Sequence, residues 1–217
     1  MTIAPELDDN HNLIKYLSSN NIIASIGHTS STFEEGLSAI NDGASSITHT
    51  FNAQTKFTHR NLGIAGLALY KEDLYSEIIC DLAHVSKEAL KIFFTCKDKD
   101  HPIMISDSLL CKGQDPKNIF LFSDKEIIIT EDTTARFIDN DVIAGSTMKM
   151  NVGLYNLIEI VNIPLDKAIN SCTINPARLL KLVDIGLIKQ NYYADITVLD
   201  KNYEVVQTYI KGRPSLP

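Results

Sequence analysis

The chain has 217 residues, 44% of them hydrophobic and 22% charged, which suits one large globular domain or one domain with an appendage. A net charge of -7 argues against general affinity for nucleic acid, and no apolar run is long enough to span a membrane. The N-terminus lacks the basic start and apolar core of a signal peptide, and Cys80, Cys96, Cys111 and Cys172 form no Cys-x-x-Cys pair, so the expectation is a cytoplasmic protein with reduced thiols.

Residues 1–12 read as an entry loop, and 12–20 as a helix carrying Leu13, Ile14 and Leu17 at helical spacing. The run 22–26 reads as a strand that ends in Gly27-His28-Thr29. Thr32 followed by Glu35 fits a capping box opening a helix, with Phe33, Leu37 and Ile40 inward and Gly43 as the stop. A short strand then delivers His49. Residues 52–66 read as a loop containing Arg60. A third strand over 76–80 leads into Asp81-Leu82-Ala83-His84, and Ser86 caps a helix over 87–97 with Ala89, Leu90 and Phe93 on its inner face. A fourth strand over 102–106 ends in Asp107.

Four strand-helix units in succession therefore finish in a polar residue: His28, His49, His84 and Asp107. Strands joined by helices pair in parallel through right-handed crossovers, so these side chains emerge at one sheet edge, the one where such folds do chemistry. The pattern then changes. Three short runs between 118 and 138, separated by Ser123-Asp124 and Glu131-Asp132, read as an antiparallel insertion. Ala144-Gly145-Ser146 follows, with Gly145 read first as a turn and second as a point of close approach to a ligand. A helix over 148–161, another from Pro164 and a third at Asn175-Pro176 come next. The runs 194–200 and 205–210 read as two strands of a separate, β-rich layer.

Two neutral imidazoles on adjacent strands suit a divalent metal such as zinc. An aspartate at a nearby strand end can take a proton from water and return it to a leaving group. Any single histidine is more often structural than ligating, but four polar strand ends in a row raise the weight of ligation substantially. His11 and His101 read as ordinary loop residues. Arg60, with Gly63 and Gly66 after it, suits either an anionic group such as phosphate or a surface ion pair.

Ser-x-Gly-His-Thr at 25–29, Thr-His-x-Phe-Asn-Ala at 48–53, His-Arg-Asn-x-Gly-x-Ala-Gly at 59–66, Cys-Asp-x-x-His-Val at 80–85, Ser-Asp-Ser at 106–108 and Ala-Gly-Ser at 144–146 occur in that order. With Asn-Pro-Ala-Arg at 175–178 and Ala-Asp-Ile-Thr-Val-Leu-Asp at 194–200, the set resembles the N-acetylglucosamine-6-phosphate deacetylases of the amidohydrolase superfamily. The resemblance implies an α/β fold: the C-terminal half of a TIM-like (β/α)8 metallo-dependent hydrolase barrel, plus tail strands of a small β-sandwich domain. On that basis residues 1–185 hold barrel strands five to eight with the antiparallel insertion at 118–138, and 186–217 hold the sandwich strands.

The resemblance further implies His28 and His49 as ligands of a divalent metal, most simply zinc, and Asp107 as catalytic acid and base. It implies that Asn52, Ala53 and Arg60 hold a sugar phosphate, that Asp81, Leu82, Ala83 and His84 line the substrate site, and that Ile143, Ala144 and Gly145 close over the acetamido end. The implied reaction gives glucosamine 6-phosphate and acetate. Members of the family are nearly twice as long, are typically homodimers, and take a third metal ligand, a glutamate, from a part that precedes residue 1. Glu6 matches a different family position. Gln54, Ser108-Leu109-Leu110-Cys111 and Tyr193 depart from the family pattern. A half barrel leaves strand edges unpaired and an apolar inner layer uncovered, so the expected partner is a second copy or a separately encoded N-terminal half. A catalytically inactive remnant, a non-enzymatic binding protein and another amidohydrolase activity are the alternatives.

Overall fold

A computed structural model describes residues 1–116 and 118–215. Residues 216 and 217, the end of the expected sandwich range, lie outside the described residues. Five strands form a parallel sheet in chain order: β1 (Thr2–Ile3), β2 (Ser25–Ile26), β3 (Ser46–Ile47), β4 (Tyr75–Ile79) and β5 (Pro102–Ile105). β1 corrects the reading of residues 1–12 as a loop and raises the parallel strands from four to five. A two-residue strand is too short for alternation to reveal; it is defined by pairing, Thr2 to Ser25 and Ile3 to Ile26. Among the described residues β1 and β5 each have one neighbour in this sheet, so both of its edges are open along these strands.

Helices cover one face. α1 (Asn12–Ser19), α2 (Phe33–Asn41) and α3 (Gly63–Tyr70) pack on the first strands, burying Ile14 and Leu17 with Ile3, Ile26, Ile47, Ile64 and Leu67. The Thr32–Glu35 capping box forms in both directions and starts α2. α3 corrects the loop reading of 52–66. Its residues from Gly63 to Ala68 are all buried, so it has no polar stripe to give a helical period. It lies so close to α2 that a Cβ at Gly36 would sit 2.5 Å from Ile64 Cδ1. α4 (Lys87–Cys96), capped by the Ser86 hydroxyl, buries Leu90, Phe93 and Phe94 against Ile78 and Met104.

The opposite face starts polar. Thr2, Thr48 and Ser25 are joined through their hydroxyls, Thr2 to Thr48 at 3.1 Å and Ser25 to Thr48 at 2.7 Å. Glu77 alternates with Ser76, whose hydroxyl faces the helices, and so lies on this same face. At these positions the inner layer is polar.

β6 (Ile119–Phe122), β7 (Lys125–Ile129), β8 (Thr134–Phe137) and β9 (Ile143–Ser146) form an antiparallel sheet. The insertion thus reaches beyond 138, and Gly145, read first as a turn, is a strand residue. α5 (Met150–Tyr155) runs into a π-helical turn over Asn156–Ile160, and α6 (Leu165–Cys172) and α7 (Ile174–Leu179) follow. The tail has three strands rather than two: β10 (Ile196–Leu199), β11 (Val205–Ile210) and β12 (Arg213–Pro214). Among the described residues no helix is long and apolar enough to cross a membrane.

Candidate active site

The ends of β2, β3, β4 and β5 share an unusual backbone feature. His28, His49, Leu82 and Asp107 all have positive φ, at 49°, 29°, 68° and 51°. Phe51 and Ala53 join them at 78° and 46°. Non-glycine residues rarely adopt this region, and such strain gathers where a side chain must be aimed. Here the chain leaves each strand sharply; after β2, β3 and β5 the turning residue is the polar one, whereas after β4 it is Leu82, with His84 two residues on.

His28 and His49 converge, with their Nε2 atoms 2.9 Å apart and their rings edge to face. Burial makes His49 harder to protonate and the adjacent His28 adds to this, while Asp107 and the His49 and Thr48 carbonyls offset part of it; the net effect holds its pKa below the ordinary histidine value. Nδ1 of His49 is buried and has no hydrogen-bond partner among the described residues. The Asp107 charge also reaches Glu77, whose carboxyl is pushed up by burial first and eased by the His49 N–H.

The segment after His49 is organised by Gln54, one of the departures noted above. Its Nε2 donates to the Thr48 carbonyl at 2.6 Å, and its Oε1 accepts from the Phe51 N–H at 3.3 Å. Asn52 is half-buried, and its Nδ2 lies 3.4 Å from the Thr50 carbonyl. Ala53 accepts from the Thr29 N–H at 3.1 Å, tying the His28 and His49 loops together. His28, Thr29, Ser30, Ala53, Gln54 and Thr55 line a cleft of 400 Å³. A larger cavity of 660 Å³ lies between α5, α6 and the tail strands; none of the expected site residues lines it.

At the end of β4, Asp81 works on both of its oxygens. Oδ1 accepts the N–H groups of Ala83 and His84 at 2.9 and 2.8 Å, and Oδ2 meets His84 Nδ1 at 2.6 Å. Burial opposes ionisation of Asp81, but these bonds outweigh it and hold the carboxyl below the ordinary carboxylate range. His84 Nδ1 therefore carries a proton, and Nε2 is left for another partner. Asp98 and His101 repeat the geometry, Oδ2 to Nδ1 at 2.6 Å, just before β5 at the opposite end of the sheet. The Asp-x-x-His spacing is thus a local device; its position at a strand C-terminus separates His84 from His101. Asn156, on the π-helical turn, donates to the Cys80 carbonyl at 2.9 Å and secures this strand end. No sequence pattern pointed to Asn156 as a support; its reach depends on the local π geometry.

β9 meets the end of β5. The Ser146 N–H donates to the Asp107 carbonyl at 2.9 Å, and Leu109 N–H to the Ser146 carbonyl at 3.0 Å. A Cβ on Gly145 would lie 2.7 Å from Leu109 Cγ and 3.0 Å from the Asp107 carbonyl oxygen. Gly145→Val is therefore expected to cost about 1–3 kcal/mol in urea unfolding by overpacking this contact. Ile143 and Ala144 precede Gly145 on the same strand and are half-buried. Arg60 stands apart: it is exposed and makes no ion pair or hydrogen bond among the described residues.

The amidohydrolase family model matches residues 18–214. The chain belongs to the amidohydrolase family. It is 30% identical over 213 residues to the N-acetylglucosamine-6-phosphate deacetylase of Lysinibacillus sphaericus, covering 98% of this chain and 54% of that protein. The N-acetylgalactosamine-6-phosphate deacetylase of Escherichia coli O157:H7 is 25% identical over 214 residues, at 98% and 56% coverage. The crystal structure of N-acetyl-D-glucosamine-6-phosphate deacetylase from Mycobacterium smegmatis superposes with a TM-score of 0.93 at 27% identity, covering 99% of this chain and 57% of that one. The chain thus spans about half the length of the relatives it matches. The open five-stranded sheet is the corresponding part of that fold.

The converging Nε2 atoms suit a divalent metal. Two ligand nitrogens of a tetrahedral zinc ion stand roughly 3.3 Å apart, so the pair needs only a small opening. Among the described residues no group of three His, Cys, Asp or Glu side chains is placed to hold a metal. Among the described residues the donor set fits at two positions, without a third protein ligand beside them.

Proposed function

We propose that this chain carries the catalytic strand ends of a metal-dependent deacetylase acting on an N-acetylated hexosamine 6-phosphate, N-acetylglucosamine 6-phosphate first. The observation that carries this reading is the 2.9 Å approach of His28 and His49 Nε2 within electrostatic reach of Asp107. His28 and His49 hold the metal, zinc being the simplest choice, and a metal there supplies Lewis-acid polarisation of the amide carbonyl. Asp107 takes the proton of the attacking water and hands it to the departing amine, giving the hexosamine 6-phosphate and acetate. Arg60 and the Asn52–Ala53 backbone hold the phosphate. His84, with its tautomer set by Asp81, lines the sugar, and residues 143–145 close over the acetamido group.

The reading includes a partner: a second copy, or a segment that completes the barrel and supplies the third ligand. The incomplete donor set favours one other reading, a chain that binds the sugar phosphate without turning it over. Acetate release from N-acetylglucosamine 6-phosphate and N-acetylgalactosamine 6-phosphate, with added zinc, separates the two. The expected result is turnover that falls about 10²–10⁴-fold in Asp107→Asn, the usual worth of a general acid-base group. Substrate binding without Asp107-dependent acetate release, in the assembly that includes the partner, would leave the binding protein as the answer.

A further inference from the structure

Glu6 leaves the end of β1 and reaches the loop that follows His28. Its Oε2 accepts from the Thr29 hydroxyl at 2.5 Å and the Ser31 hydroxyl at 2.6 Å, and its Oε1 accepts from the Ser30 N–H at 2.6 Å. Glu6 is itself exposed, but Thr29 and Ser31 are buried. The Ser31 N–H returns to the Thr29 hydroxyl at 3.0 Å, and the Thr55 hydroxyl donates to the Ser31 carbonyl. Thr29 also donates its N–H to the Ala53 carbonyl and bridges to Gln54. One carboxylate therefore fixes three consecutive residues of the His28 loop, and through them the Asn52–Thr55 segment beside the cleft.

We infer that Glu6 is a positioning residue: its carboxylate clamps residues 29–31 so that His28 Nε2 stays converged on His49 Nε2 and Ala53 stays at the cleft. This rests on the proposed metal pair. Both oxygens already accept hydrogen bonds from the loop, which marks Glu6 as a brace of the ligand loop rather than as the missing third ligand. His28 needs such a brace because its backbone sits at positive φ and its side chain is exposed. Without Glu6 the loop would keep the two-residue β2 pairing and its ties to Ala53, Gln54 and Thr55, but would lose all three bonds that hold residues 29–31 to the β1 side. Outer partners that orient ligands commonly change metal affinity 10–100-fold when removed.

The test uses the full chain and zinc alone, with calorimetric affinity and the imidazole nitrogen and carbon resonances of His28 and His49 as readouts. Glu6→Ala is expected to weaken zinc about 10–100-fold and to shift the His28 ring signals in the zinc-free chain. Glu6→Gln, which keeps one acceptor for the Ser30 N–H, is expected to recover most of the affinity. Ser31→Ala removes one of the three bonds and is expected to give a small, partial loss. If Glu6→Ala fails to fold, Glu6→Gln and Ser31→Ala decide between the outcomes. Unchanged affinity and unchanged His28 signals in the variants would overturn the brace. Loss in Glu6→Gln as complete as in His28→Asn would make Glu6 a direct ligand and overturn it too. Absence of zinc binding by the wild-type chain would sink the metal reading, while the ring signals would still report on the brace.

Discussion

Replacing Lys97 with methionine is expected to lower the unfolding free energy by about 3 kcal/mol at neutral pH, with the deficit widening as the pH rises. Lys97 follows α4 and is only 2% exposed. Its ammonium donates to the Lys71 carbonyl at 2.7 Å, the Ala68 carbonyl at 3.3 Å, the Ser76 hydroxyl at 3.2 Å, and the Leu74 carbonyl. Ala68 and Lys71 sit at the C-terminal end of α3, so one side chain caps that helix and anchors the turn into β4. Methionine fills the space and leaves those acceptors buried and unpaired.

The pH dependence has a definite sign. Burial drives the Lys97 pKa down to about 8, outweighing the nearby charges of Asp98 and Asp73 that favour the ammonium. The unfolded chain keeps the ordinary value near 10.5, so between the two it binds more protons than the folded chain does. Wild-type stability therefore gains up to about 3 kcal/mol as the pH climbs from near 8 toward 10.5. The ammonium shares its three N–H groups among these four acceptors, which offsets part of the burial cost and makes the observed slope shallower than that ceiling. Lys97→Met lacks this contribution, and other titrating groups cancel in the comparison. Urea unfolding of both proteins at neutral pH and near pH 9.5 checks it. Equal stability at neutral pH would remove the capping role.

The β-α alternation was legible because each early helix has an amphipathic stripe and a hydroxyl cap: Thr32 with Glu35, and Ser86. The order of polar strand ends in the sequence puts His28, His49, His84 and Asp107 on one edge. Other features were hidden for physical reasons. β1 is defined by its partner, and α3 is apolar on every side, so neither has a period to read. The positive φ values at His28, His49 and Asp107 were not legible in the sequence: His and Asp adopt this region more readily than most residues, but they adopt other conformations far more often. Glu6 was visible as a carboxylate near the start of the chain, but its three donors are 23 to 25 residues away, a distance local patterns do not bridge. Gly145 is the instructive error. A glycine among small residues suggests a turn; its actual use is to let β9 lie against the Asp107 carbonyl.

His28→Asn and His49→Asn, tested singly and together, are expected to have the largest effect on metal binding. Either change leaves one imidazole at the strand mouth, and a lone imidazole is a poor zinc site beside the three or four ligands of ordinary protein sites. Each single variant should therefore lose more than the roughly 10–100-fold typical of an outer partner. The double variant should be little worse than either single one, because the first substitution already dissolves the pair. That non-additivity is the signature of two side chains sharing one ion. It also separates ligation from folding. His28 is exposed, so His28→Asn should unfold at nearly the wild-type denaturant midpoint. His49 is buried with an unpartnered Nδ1, so asparagine there gives up packing but no existing Nδ1 hydrogen bond. Zinc titrations that found the two losses simply additive would show the histidines binding independently. In that case the 2.9 Å approach of their Nε2 atoms would be a packing contact between neighbouring strand ends rather than half of a metal site.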